Sequence, residues 1–269
     1  MSLCVGRIPF LVCAPFFYSQ LLDGGAVRFV DGAPRRLAEL LFAGGVHLAP
    51  CSSIAYAMHP GEFLLAPDIC TSCGLEVRSV KLFSKVDLGD LGGRRVHLTS
   101  QSATSVALLK LLFALRFGIC PEYVEGAPFN GELDAAKLLI GDEALLEPGE
   151  GFPFAYDLAA LWLEWQGMPF VFGAWSIHKA ALKMAGDLSA YLHEVSRSVE
   201  GFRRDPAAAL KIWEARYPVP LPLGTKVSYY DALDYNFTEE RKRSLELFFR
   251  LCEGEGIVPR QRPLEFFEG

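Results

Sequence analysis

Leu98-Thr99-Ser100-Gln101-Ser102-Ala103-Thr104-Ser105 is the stretch on which the reading of this chain turns. An apolar run at 95–98 leads into it and an apolar helical pattern at 106–117 follows, so it marks the junction of a strand and a helix. One helix cap needs one hydroxyl. Here five Ser and Thr residues fall within the seven positions 99–105. Together with the unpaired N–H groups of a first helical turn and the positive end of the helix dipole, those hydroxyls favour a carboxylate.

The same grammar recurs outward from this junction. A strand at 5–8 is followed by the loop Phe10-Leu11-Val12-Cys13-Ala14 and a helix opened by Pro15. A strand at 46–49 gives way to Pro50-Cys51-Ser52-Ser53 and a short helix to Met58, and a strand at 138–140 to Gly141-Asp142 and a helix over 143–146. Strands alternating with helices predict an α/β fold with parallel sheets, whose ligands sit beyond the strands' C-terminal ends. All four turns are therefore expected to share one cleft. Two further apolar runs, 77–83 and 169–175, are read as the crossings between two domains: a discontinuous first domain at 1–84 plus 176–269, and an inserted α/β domain at 85–175. Helical patterns at 189–202 and 206–217, and another begun by Thr238 as N-cap with Glu239 and Glu240 behind it, fill the C-terminal part. Tyr229, Tyr230 and Tyr235 read as core between helices, with lining a pocket as the alternative.

Composition narrows the function classes. A chain of 269 residues with 51% hydrophobic content can bury a substantial core. Its net charge of −6 has no long run of one sign, which argues against nucleic acid or an anionic membrane surface as partner. No apolar stretch reaches the 18 or so residues of a membrane span, and no export signal opens the chain, so a cytoplasmic location is expected. Seven cysteines, odd in number and scattered, suit reduced thiols. Cys70 and Cys73 form a lone CxxC, and the five histidines are dispersed, so neither a metal nor another cofactor is expected. Neither a heptad pattern nor an apolar stripe specifies an oligomer.

On GRIPFLVCAPFF at 6–17, PCSSIAYA at 50–57, TSQSATSVALLKLL at 99–112, LLIGDEAL at 138–145 and YDLAALWLEWQGMPFVFGAW at 156–175, the chain resembles the chorismate dehydratase family of the futalosine route to menaquinone. The resemblance implies a two-domain fold like that of type II periplasmic binding proteins, with the ligand cleft between the domains. It implies a hydro-lyase that removes water from chorismate to give 3-[(1-carboxyvinyl)oxy]benzoate, driven by aromatisation. Such a site must hold two carboxylates, orient the ring and help hydroxide depart with water excluded. By position, Ser100, Ser102, Thr104 and Ser105 are expected to bind carboxylate, with Ser52, Ser53 and Ser79 on the opposing wall and Cys13 and Gly141 beside them. Asp142 either caps its own helix or contacts the leaving hydroxyl. No side chain in these motifs presents itself as a strong general base, so the expectation is that a carboxylate of the substrate takes the proton.

One position departs from the family pattern. Members carry asparagine in a YLN or FLN triplet where this chain has Phe10-Leu11-Val12. If the missing amide is a transition-state donor, its loss costs about 2.7–4 kcal/mol unless Cys13 or Ser19 compensates. Val12 therefore keeps a second reading open, a non-catalytic cytoplasmic binding protein or sensor for a small carboxylate. A third reading, the sister branch acting on a futalosine-derived nucleoside, predicts a larger pocket with a basic or His group near the ribose.

Overall fold

The computed structural model describes residues 2–22 and 27–269. Two sheets organise them. In chain order the strands are β1 (Cys4–Arg7), β2 (Arg28–Asp31), β3 (Leu48–Ser52), β4 (Phe63–Cys73), β5 (Val80–Ser84), β6 (Arg95–His97), β7 (Glu122–Val124), β8 (Asp134–Ile140), β9 (Phe154–Asp157), β10 (Phe170–His178) and β11 (Leu233–Asn236). The first sheet runs β11-β4-β10-β3-β1-β2 and the second β7-β6-β8-β5-β9. The helices are α1 (Ala14–Phe17), α2 (Pro34–Phe42), α3 (Ile54–Met58), α4 (Ala103–Leu111), α5 (Gly141–Leu146), α6 (Leu158–Gln166), α7 (Ala185–Arg204), α8 (Pro206–Glu214), α9 (Leu223–Tyr229) and α10 (Glu239–Gly254).

The sheets are mixed, where the alternation of elements predicted parallel ones. β1 pairs in parallel with β2 and β3, and β6 with β7 and β8. β10 is antiparallel to β3 and β4, and β5 to β8 and β9. The reason lies in the connections. β4 leaves the first sheet at the end facing the second; β10 re-enters at that same end and must run the other way, and β5 enters the second sheet under the same constraint. The chain changes sheet at 74–79 and again at 158–169, ahead of the breaks read at 84 and 175.

Packing brings the first sheet's elements close. A Cβ on Gly6 of β1 would stand 2.7 Å from the Ala49 Cβ and 3.0 Å from Leu37 Cδ2, so only glycine lets β1, β3 and α2 approach this far. Trp175 of β10 is buried against Phe16, Phe17 and Tyr191, with ring centroids 5.4, 5.6 and 6.1 Å away. Behind the crossing, Phe170 packs on Trp162 of α6 and Phe248 of α10 at 5.2 and 5.0 Å. The helix expected over 106–117 begins at Ala103 and ends in a π-helical turn, Leu112–Phe117, closed by Gly118 with φ +64°. Thr238 occupies the N-cap position of α10, but its hydroxyl accepts from Arg241 Nη1 at 3.0 Å rather than from a backbone N–H. The acidic Glu239 and Glu240 in the first turn remain to favour that helix start.

Candidate ligand cleft between the two sheets

A cavity of about 570 Å³, counting the space at its mouth, lies between the sheets. All four turns contribute to it: Ile8, Phe10, Val12 and Cys13 after β1; Pro50 and Cys51 of β3; Ser102, the N-cap of α4, and Ser105 in its first turn; Ile140 ending β8 and Gly141 opening α5. Pro34, Thr71, Val77, Ser79, Val80, Phe172 and Gly173 complete the walls. The surface is apolar with a few hydroxyls, the usual composition of a small-molecule site. Among the described residues lining it there is no Lys, Arg or His.

The start of α4 presents donors to this space. Ser102 caps the helix, its Oγ accepting the Ser105 N–H at 3.2 Å, and the two serine hydroxyls stand 3.0 Å apart. Ser102 and Ser105 thus combine the structural role of a cap with a position on the cavity wall. Thr104 does something else. Its Oγ1 accepts the Ile54 N–H at 3.2 Å and lies 3.3 Å from Ser53 Oγ, which donates to the Val171 carbonyl at 2.9 Å. Ser53 and Thr104, both fully buried, therefore join α4 to α3 and β10 and do not line the cavity. Ser52 is also buried off the cavity wall, its hydroxyl without a partner among the described residues, and Ser100 is exposed.

Cys13 and Cys51 reach the wall as protonated thiols. Burial pushes Cys51 up to about 12, and burial together with the nearby Asp142 carboxylate raises Cys13 as well. Neither supplies a thiolate at neutral pH. Cys70 and Cys73, on β4, are held separately: the Cys70 thiol donates to the Asn236 carbonyl at 3.4 Å, and Cys73 Sγ accepts the Leu75 N–H at 3.4 Å.

Ser79 stands at the first crossing and is fixed on every side. Its N–H donates to the Val77 carbonyl at 2.7 Å, its carbonyl accepts the Gly141 N–H at 2.7 Å, and its Oγ accepts the Tyr229 hydroxyl at 2.7 Å. The turn that aims it has Arg78 at φ +61°, the one positive-φ residue other than glycine among the described residues. That geometry costs about 1–2 kcal/mol. Asp157 holds it in place: its carboxylate accepts the N–H groups of Val77 and Arg78 at 3.1 and 2.6 Å while also capping α6 through Ala159 and Ala160 at 3.0 and 3.3 Å.

Asp142 does not cap its own helix. α5 has Ile140 at its N-cap position with no side-chain cap bond, and Asp142 Oδ1 accepts the Leu11 N–H at 2.9 Å, from the loop after β1. The carboxylate therefore spans the cleft from the second sheet to the first. Burial raises its pKa to about 6, against the pull of the Leu11 N–H, and the neighbouring Glu143 carboxylate adds to the rise. Next to it the Phe10 ring lies over Gly141, where a Cβ would meet Phe10 Cδ2 at 2.9 Å.

Two aromatic groups of the wall were not singled out from sequence as site residues. Phe172 enters the cavity lining beside a register shift between Val171 and Gly173 in the pairing of β10 with β4; glycine inside an apolar strand is the signal that marks such irregularities. Phe10 sat in the right loop but carried no polar group to attract notice. Of the three tyrosines, Tyr229 bonds Ser79, while the hydroxyls of Tyr230 and Tyr235 donate to the carbonyls of Leu11 and Val12 at 2.6 and 2.7 Å.

Comparison with known proteins agrees with this architecture. The protein of Archaeoglobus fulgidus known as AF1704 superposes with a TM-score of 0.76 at 20% identity, over 95% of this chain and 98% of that one. The alkanesulfonate-binding protein SsuA of Xanthomonas axonopodis pv. citri, bound to MOPS, gives 0.70 at 13% identity over 97% and 96%. These likenesses show the two-lobed periplasmic-binding-protein-like fold. In sequence, the chorismate dehydratase of Thermus thermophilus is 35% identical over 185 residues, 62% of this chain and 66% of that protein, so the alignment spans just under two thirds of the relative's length. The family pattern described as menaquinone biosynthesis matches residues 3–254. The chain belongs to that menaquinone biosynthesis family.

Proposed function

We propose that this protein is a cytoplasmic chorismate dehydratase, a hydro-lyase converting chorismate to 3-[(1-carboxyvinyl)oxy]benzoate and water in menaquinone biosynthesis. The observation that carries the reading is the cavity itself: an apolar slot between two sheets whose hydroxyl groups are those of Ser102 and Ser105 at the start of α4, Ser79 opposite, and Thr71. The family membership and the relative in Thermus thermophilus support the same activity. The apolar walls formed by Phe10, Val77, Ile140 and Phe172 suit a six-membered ring. In this reading the discontinuous domain comprises the first sheet with its helices, the inserted domain comprises the second, and closure between them excludes water.

The residues act by holding and orienting. The serine hydroxyls and the first-turn N–H groups of α4 take a substrate carboxylate, and Ser79 donates from the facing wall. The proton leaves to a carboxylate of the substrate, and no thiol or imidazole of the cavity wall takes it. Asp142 sits one residue behind the wall and ties the loop after β1 to α5, so its part in the reaction is to hold that loop. The absence of Lys, Arg and His from the described lining residues disfavours the nucleoside reading, which requires such a group near the ribose.

Val12 favours the binding-only alternative, because it occupies the cavity wall where the family offers an amide. The deciding experiment is incubation of the purified protein with chorismate, following loss of one water by mass spectrometry, beside a Val12→Asn variant. Conversion by the wild type well above the spontaneous background is expected, with Val12→Asn faster still. Activity in the variant alone supports a binding protein on a dehydratase scaffold. Inactivity of both overturns the proposal.

A further inference from the structure

The Tyr229 hydroxyl and Ser79 Oγ are 2.7 Å apart, and both side chains are buried, at 2% and 3% exposure. Either oxygen has one proton to give, and the surroundings decide which gives it. If Ser79 donated, the Tyr229 proton would need another acceptor, and no other hydrogen bond from that hydroxyl exists among the described residues. Leaving a buried hydroxyl proton unpaired is the expensive choice. Burial also raises Tyr229 well above the ordinary phenol range, so the proton stays on it at working pH. Tyr229 therefore donates and Ser79 accepts.

The remaining directions around Ser79 are occupied. Its N–H is bound to Val77, its carbonyl to Gly141, and one lone pair of Oγ to Tyr229. Its hydroxyl proton is left for the space that Ser79 lines, the ligand cavity. We infer that Tyr229 is a positioning residue that fixes Ser79 as a one-way donor toward the bound substrate, so that the C-terminal segment, through α9, sets the polarity of the site. Tyr229 touches neither the cavity nor the reacting atoms and acts only through Ser79. Tyr230, the next residue, provides an internal contrast, because its hydroxyl holds the Leu11 carbonyl and has no link to Ser79.

This inference rests on the dehydratase reading, and the test separates the two. Chorismate turnover is measured for wild type, Tyr229→Phe, Tyr230→Phe, Ser79→Ala and the two Tyr-to-Phe changes in the Ser79→Ala background, with melting temperatures for each. Tyr229→Phe is expected to lower kcat about tenfold with KM changed less than about threefold, since the misdirected hydroxyl matters most where charge develops. Ser79→Ala is expected to lower kcat about 100-fold. In the Ser79→Ala background Tyr229→Phe should add less than about twofold, whereas Tyr230→Phe should keep its full effect. A Tyr229→Phe loss that persists undiminished without the Ser79 hydroxyl, or that is matched by a fall in melting temperature alone, overturns the inference while leaving the dehydratase intact. A wild type inactive on chorismate overturns both.

Discussion

Replacing Asp142 with Asn tests how the cleft is tied shut. Asp142 reaches from α5 to the Leu11 N–H at 2.9 Å, and burial lifts its pKa from the ordinary 3.8 to about 6. The folded protein therefore binds this proton more tightly than the unfolded chain. The associated stability is fully present below pH 3.8, declines as pH rises through 6, and is absent above. A difference of about two pH units at 1.36 kcal/mol each makes the cost of the buried charge at most about 3 kcal/mol. Asparagine keeps an oxygen for the Leu11 N–H and removes the charge. The rise to about 6 already nets burial against the Leu11 N–H bond, so the gain at neutral pH approaches that same ceiling of about 3 kcal/mol. Urea unfolding of both proteins at about pH 4.5 and pH 8 measures it, with the variant more stable at the higher pH and the gap largely closed at the lower one. A gap independent of pH, or a variant less stable at pH 8, would refute the assignment of Asp142 as a strained, charge-bearing tie.

Other positions yield separate expectations. Gly141→Ala places a methyl 2.9 Å from the Phe10 ring at a φ of +60° and should cost about 1–3 kcal/mol; denaturant melts measure the loss, and Phe10→Leu in the same chain should restore part of it. Thr104→Val leaves the Ile54 N–H unpaired in the core and is expected to cost about 1–3 kcal/mol without entering the cavity, so thermal unfolding should move more than substrate KM. Asp157→Asn removes an oxygen from a carboxylate serving four N–H groups and releases the Arg78 turn, for a cost of about 2–3 kcal/mol; hydrogen exchange should show the loss of protection at Val77 and Arg78. Val12→Asn, measured as chorismate turnover, should raise kcat by restoring a donor worth up to about 2.7–4 kcal/mol.

The four strand-to-helix turns were legible because each short apolar strand breaks before a helix, at Pro15 in the first and at small or polar residues in the other three, and the sheets bring all four to one cavity. Ser102, Ser105, Cys13 and Gly141 lie on these turns and line that cavity, while Ser79, expected from the family resemblance, lines it from the first crossing. What sequence pattern hid was direction. A Ser or Thr side chain near a helix start faces a ligand in some proteins and a neighbouring helix in others, and helical spacing alone does not say which neighbour exists: Thr104 faces Ile54, 50 residues earlier in the chain. The 11-residue β4 escaped notice because Pro67 and Asp68 interrupt its apolar pattern, while register irregularities in its pairing with β10 let the strand continue. Strand polarity was misread for a related reason, since alternation of elements carries no record of a strand that returns from a second sheet.

The lining chemistry makes a consistent whole of these details. A fixed cation in the cavity would attract a dianionic substrate strongly, but as strongly before the reaction as during it, and uniform binding of that kind does not raise kcat. Hydroxyls and the N–H groups of a helix start are neutral donors whose value depends on aim, and aim is what the surrounding structure supplies. Ser102 is oriented by its cap bond, Ser79 by Tyr229 and by the turn that Asp157 holds, and the loop bearing Val12 by Asp142, Tyr230 and Tyr235. Each of these holding groups lies outside the described cavity lining, apart from Ser105, and together they come from both sheets and from the C-terminal segment. In the proposed dehydratase reading, catalysis by preorganised neutral donors thus requires the two-sheet fold as a whole, because a holding group and the loop it holds are as far apart in sequence as Tyr230 and Leu11.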